Sequence, residues 1–245
     1  MDEAVPGVQW RFGKPNYARV NKLYFEHRSK AHPEGSLEAV VSRLVKNWEV
    51  ESHHIADPKQ WKTMDTPKFW VSVNGGIAVD AEVLADVGPY YMLLGDTSHY
   101  KGSAMSYGES NGVFGATFPE GYAFEVLEVL SGPPTVTFKW RHFGKFSGVF
   151  TDSRGAKHRG KGEILNLYGI CIAKVSASLA IESLVYYSPE DLLRPLVKSA
   201  VGDSEIPVGS DEADGKTVPS DIACCSPSAR ERHGAGESSV EDSED

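Results

Sequence analysis

Between Thr135 and Phe143 the chain alternates. Val136, Phe138, Trp140 and His142 point one way, and Thr135, Thr137, Lys139 and Arg141 point the other. A strand built this way carries an apolar face that ends in a titratable ring. Imidazole exchanges a proton near neutral pH without help, so His142 is a candidate general base if this face lines a cavity. If the face lines no cavity, His142 is a half-buried structural ring bonded to a neighbour. Glu125, in the preceding apolar run, is the candidate partner across the hairpin, and burial would raise its pKa. The competing reading of Glu125 is an ion pair with Lys139 or Arg141. Tyr90 and Tyr168 are candidate hydroxyl donors. Phe138, Trp140, Tyr90 and Trp48 are the candidate walls of a ligand site.

Three other groups of reactive residues carry less. His53-His54 invites a metal reading, but neighbours on a strand face opposite ways and do not easily reach one ion, so no metal site is expected. The Thr151 to Gly162 loop holds Arg154, Lys157, His158, Arg159 and Lys161, which could grip a phosphate or simply face solvent; it has no Walker or dinucleotide pattern. Cys171 sits in an apolar strand and Cys224-Cys225 in a polar stretch, with no spacing of a metal knuckle or disulfide framework.

The elements that must position these residues follow from punctuation and period. Phe118-Pro119-Glu120-Gly121 opens a strand from Tyr122 to Leu130, and Ser131-Gly132-Pro133-Pro134 breaks it before the return strand, giving a long β-hairpin. Upstream, Asn16 is a candidate cap for a helix carrying Tyr17, Val20, Leu23 and Tyr24. Ser36 caps a second helix with Leu37, Val40, Val41, Leu44, Val45 and Trp48 on one stripe. Both stripes are wide, so both helices should pack on something flat. Trp48 to Ile55 alternates and predicts a short strand. Phe69 to Val73 predicts a strand closed by Asn74-Gly75-Gly76. Asp80 caps a short helix to Val87, which resumes after Gly88-Pro89 through Tyr90 to Leu94. Asp96 to Gly115, rich in Gly, Ser, Asp and Asn, predicts a mobile loop. Glu163 to Val175 and Leu179 to Tyr187 predict two more strands. Ser188-Pro189-Glu190-Asp191 predicts the cap of a last helix, Leu192 to Val197.

The net charge of -9 belongs to one end of the chain. From Ser199 onward there are 12 acidic and 3 basic residues, leaving 22 of each sign before it. A neutral body gives no electrostatic case for nucleic acid. Residues 1–197 are expected to fold as one unit, and residues 198–245 to form an acidic disordered tail. No apolar run approaches the ~20 residues of a membrane span, and the N-terminus has no secretory pattern, so no membrane partner and a cytoplasmic setting are expected. Helices grouped before strands predict an α+β fold: a strongly curved antiparallel sheet wrapped around helices, making a cone with an apolar pocket.

The chain also resembles the plant-type pathogen-related proteins of the SnoaL-like, NTF2-like superfamily. The resemblance rests on Trp10-Arg11-Phe12-Gly13, Asn16-Tyr17, Val20 to Leu23, Pro33 to Ser36, Trp48-Glu49 and Ser72 to Gly75. It is densest from Phe118 to His142 and ends with Gly169, Cys171-Ile172 and Tyr186-Tyr187. It covers roughly Trp10 to Tyr187, and departs in the Thr151 to Gly162 loop and after Tyr187. It implies the NTF2-like cone, a homodimer through the open sheet face, and a pocket for a small hydrophobic molecule. It leaves two functions open. One is a cofactor-independent cyclase, isomerase or dehydratase of secondary metabolism, with His142, Glu125 and Tyr168 as acid–base groups. The other is a non-catalytic ligand-binding or scaffold protein linked to defence.

Overall fold

The computed structural model describes residues 7–188 and 193–198 of the 245-residue chain. In chain order the elements are α1 (Ala18–His27), α2 (Leu37–His54), β1 (Trp70–Val73), β2 (Val79–Asp80), α3 (Ala81–Val87), α4 (Pro89–Leu94), α5 (Tyr107–Thr117), β3 (Tyr122–Ser131), β4 (Thr135–Phe146), β5 (Val149–Thr151), β6 (Lys157–Arg159), β7 (Glu163–Val175), β8 (Ile181–Tyr187) and α6 (Arg194–Lys198). This is the expected α+β arrangement. Residues 199–245, expected as the tail, and Pro189 to Asp191 of the last cap lie outside the described residues.

Six strands form one sheet in the order β2-β1-β8-β7-β4-β3. Its centre is the β3–β4–β7–β8 antiparallel run, in which Trp140 faces Val126 and Gly169, and His142 faces Phe124 and Leu167. Two register shifts in β3 insert bulges, which bend a strand and increase its twist. The sheet is mixed rather than wholly antiparallel: β1 runs parallel to β8, with Trp70 opposite Ser183. That pairing needs a long crossover, which most of the chain supplies.

The two N-terminal helices do pack on the sheet, but on opposite faces. Val41, Val45 and Trp48 of α2 join Phe124, Val126, Val136, Phe138 and Trp140 in the main core, together with Leu84 of α3. Val20, Leu23 and Tyr24 of α1 instead cover Ala123 and Phe143 on the reverse face. Ser36 caps α2 through a bond from the Ala39 amide, and Asp80 caps α3 through one from Val83. The α1 cap position is Tyr17, one residue past Asn16, whose side chain accepts from the Ala18 amide.

Two stretches depart from expectation. Trp48 to His54 is the last part of α2, not a strand. Every residue in it is buried, so its alternation of residue types reports no exposed face. Glu51 survives burial by accepting from the Lys62 and Thr63 amides at 2.9 Å and from the Thr63 hydroxyl at 3.1 Å. Asp96 to Gly115 is ordered: Asp96 ties Ser103, and Ser106 and Glu109 form a capping box that starts α5.

Candidate functional site

Strand β4 delivers His142 to the face on which α2 packs, where it lines a cavity of about 50 Å³. Leu165 and Leu167 of β7, Phe114 of α5, Phe118, and Leu93 and Leu94 of α4 supply apolar walls. Tyr122 of β3 lies with its ring centroid 3.8 Å from that of His142. Tyr90 of α4 also lines the cavity. It stacks on Phe114 at 4.1 Å and receives the edge of His53 at 5.5 Å. Leu193, just before α6, and Pro195 and Leu196 of α6 border the remaining side.

Burial sets the charge state here. It pushes the pKa of His142 down to about 3; His53 adds to that push, and a hydrogen bond with the Tyr122 backbone opposes it. His53 is pushed down to about 4 by burial, and its Nδ1 sits 3.0 Å from the Glu49 carbonyl, a bond that the neutral ring makes by donating. His54 goes down to about 3 for the same reason. It meets Tyr17 edge-on, and among the described residues neither of its ring nitrogens has a hydrogen-bond partner. All three rings are therefore uncharged at neutral pH. A base whose conjugate acid has a pKa of about 3 accepts a proton poorly at pH 7, so the near-neutral titration expected of His142 is lost to desolvation.

The other expected site residues are dispersed. Glu125 lies on the reverse face of the sheet, fully buried, opposite Arg141 in register. Its carboxylate accepts from Arg141 Nη1 at 3.0 Å, from the Ser29 and Lys30 amides at 2.6 and 2.7 Å, and from the Ser29 hydroxyl at 3.2 Å. The ion-pair reading holds, with Arg141; Lys139 pairs with Glu128 instead. Tyr168 faces Arg141 on that same reverse face and is half exposed, so it does not share the cavity with His142.

Trp48 and Phe138 line a different and smaller cavity, about 20 Å³, between α2 and the sheet. Trp140 separates the two cavities. It packs between Phe124 and Tyr186 and lies over Gly169, where a Cβ would collide with the indole and with the Tyr187 carbonyl. The apolar face expected as one wall is thus split, with Val136 and Phe138 on one side of Trp140 and His142 on the other. Of the expected ligand walls, only Tyr90 stands with His142.

Sequence reasoning missed Tyr122, Phe114, Phe118 and the α6 leucines. Two signals were present: Tyr122 sits two positions from Phe124 and so on the same face, and Ser106-x-x-Glu109 marks the helix that carries Phe114. The basic loop became the β5–β6 hairpin. There Asp152 accepts from the Arg154 and Ala156 amides at 2.9 Å and sits 3.3 Å from His158. Among the described residues, no group of three His, Cys, Asp or Glu side chains could hold a metal ion, and no helix is long and apolar enough to cross a membrane.

No family model matches the chain. Among solved structures, it is similar to a candidate SnoaL-like polyketide cyclase from Jannaschia sp. CCS1, with 14% identity, 72% of this chain and 100% of that one covered, and a TM-score of 0.38. It is also similar to an NTF2-like protein of unknown function from Exiguobacterium sp. 255-15, with 13% identity, coverage of 61% and 94%, and a TM-score of 0.29. Scores this low carry no statement about activity. The sequence relationship is closer. The chain is 34% identical over 186 residues to a pathogen-related protein of Hordeum vulgare, a match spanning 73% of this chain and 77% of the relative. On that identity and coverage, the chain belongs to the pathogen-related protein family.

Proposed function

We propose that this protein binds a small, mostly apolar molecule with one hydrogen-bonding group, and that His142 fixes that group without acting as a base. The observation that carries this reading is a neutral, buried imidazole lining a mostly apolar cavity. Acid–base cyclase, isomerase or dehydratase chemistry would need a second group able to exchange protons near neutral pH. Among the described residues lining the cavity, none is a carboxylate; Tyr90 and Tyr122 are phenols. A response to pathogens is the biological setting that the barley relative's name suggests.

Binding of naphthalene and 2-naphthol to the wild type and to His142→Phe tests the reading. The wild type should prefer 2-naphthol by about 2–10-fold, the worth of one net hydrogen bond. His142→Phe should erase that preference and keep the naphthalene affinity. Equal preference in the two proteins would overturn the reading.

We propose further that the reverse face of the sheet meets a second copy of the chain. Tyr168, Ile170 and Tyr187 are exposed there together, with Ile170 paired directly to Tyr187, and Trp70 is exposed farther along the same face beside Ser183. A two-fold contact lets one apolar patch cover itself.

A further inference from the structure

The cavity beside His142 is bordered by α6, the last helix among the described residues. Leu193, just before α6, and Leu196 of α6 are each 3% exposed and share a core cluster with Tyr90, Phe114, Phe118 and Phe146; Pro195 is exposed at the cavity's rim. What remains, about 50 Å³, is well below the roughly 150 Å³ of a cavity that takes a benzene-sized guest. A benzene-sized ligand therefore does not fit beside His142 while Leu193 and Leu196 stay where they are.

The walls differ in what holds them. The β4 and β7 walls are fixed by an unbroken ladder from Thr135 to Phe146. Helix α5 is held by its capping box, by the Tyr100–Ser110 hydroxyl bond at 2.6 Å, and by bonds from the Tyr107 hydroxyl to the Ser52 and His53 carbonyls. For α6, among the described residues, the hydrogen bonds are internal, from Leu196 and Val197 to the Leu193 carbonyl. Among the described residues its seat is apolar contact. Such contact is non-directional, so another apolar group can take its place without leaving a donor or acceptor unpaired. Two isobutyl groups also occupy more space than a benzene ring.

We propose that α6 is a displaceable plug: Leu193 and Leu196 occupy the ligand site, and an apolar ligand binds by driving them out. The proposal rests on the ligand-binding reading above and adds that the site is filled by the chain's own segment until ligand competes. Leu93 and Leu94 would remain as wall, and displacing the two leucines would make room for a ligand against His142.

The test uses the full chain with Cys224→Ser and Cys225→Ser, and N-phenyl-1-naphthylamine as probe. Cys171 is fully buried and its thiol pKa is raised by burial, so it stays silent. In this background Leu193→Cys reports on the plug through its rate of alkylation by iodoacetamide. Without probe it should react about 10–1,000-fold slower than an unstructured thiol, matching a minor open state. Saturating probe should accelerate it by about tenfold or more. Leu193→Ala/Leu196→Ala should bind the probe more tightly than wild type. Probe that binds without changing the alkylation rate would overturn the plug and leave ligand binding standing. Alkylation already at the free-thiol rate without probe would also overturn the plug. Probe that binds the double variant but not the wild type supports it. Failure of both proteins to bind would sink the plug and the ligand-binding reading together.

Discussion

Arg141 Nη1 lies 3.0 Å from Glu125 Oε2, and the pair is buried on the face of the sheet that His142 does not share. Arg141 also donates to the His27 carbonyl at 3.0 Å and through Nε to Asn166 at 2.7 Å. Together with the Ser29 and Lys30 amides on Glu125, these bonds clamp the chain leaving α1 against strands β3 and β4. Glu125 is a structural clamp, and the same solution recurs where Glu51 holds residues 62 and 63.

Glu125→Ala should therefore destabilise the fold by about 3–5 kcal/mol, because it strands a buried guanidinium and two amides. The cavity lies on the other face, so naphthalene affinity of the folded fraction should stay within about twofold of wild type. Urea unfolding and ligand titration on one preparation check both halves. Unchanged stability would refute the clamp.

Stability should fall as the solution is acidified from pH 7 to 5. The pKa values of His53, His54 and His142 are held at about 4, 3 and 3, below the ordinary 6.5. Between pH 6.5 and about 4 the unfolded chain takes up protons that the folded chain refuses, so the folded state loses ground as pH drops and gains nothing above 6.5. Each such ring contributes up to about 1.4 kcal/mol per pH unit within that window. Glu51 works the other way: burial raises its pKa, and its contribution declines as pH rises through the carboxylate range. Three imidazoles outweigh one carboxylate. The urea midpoint should be lower at pH 5 than at pH 7, and His142→Asn should reduce that difference. Identical midpoints would contradict this account.

How much of this was legible in the sequence depended on period. The β3–β4 hairpin and the opposed sides of Val136 to His142 could be read because each strand has two distinct environments. The end of α2 could not: Trp48 to His54 is buried all round, and a helix without a wet side leaves no 3.6-residue stripe. Helix α5 was hidden by composition, since Tyr-Gly-Glu-Ser-Asn-Gly reads as loop although Ser106 and Glu109 cap it. The site was harder still. Strand alternation puts Glu125 and His142 on opposite sides once the register pairs Phe124, not Glu125, with His142. That register is set by the turn and the bulges, and no single residue announces it.

The self-association proposed for the reverse face makes a separate prediction. Wild type should sediment as a dimer at micromolar concentration. Ile170→Lys, which puts a charge at the centre of the Tyr168, Ile170, Tyr187 patch, should sediment as a folded monomer. A monomeric wild type would dismiss the interface.

The parallel pairing of β1 with β8 has a consequence for how the protein is made. Val71 is fully buried, and its neighbour in the sheet is Leu184, near the end of the body. At a synthesis rate of about 5–20 residues per second, β1 leaves the ribosome roughly 5–20 s before its partner exists. Until then Trp70 to Val73 has only the two-residue β2 beside it, and its other edge stays open while the β3–β4–β7 meander folds. The nascent chain therefore passes through a stage in which one edge of this first strand is open, and that edge is a target for a chaperone during the interval.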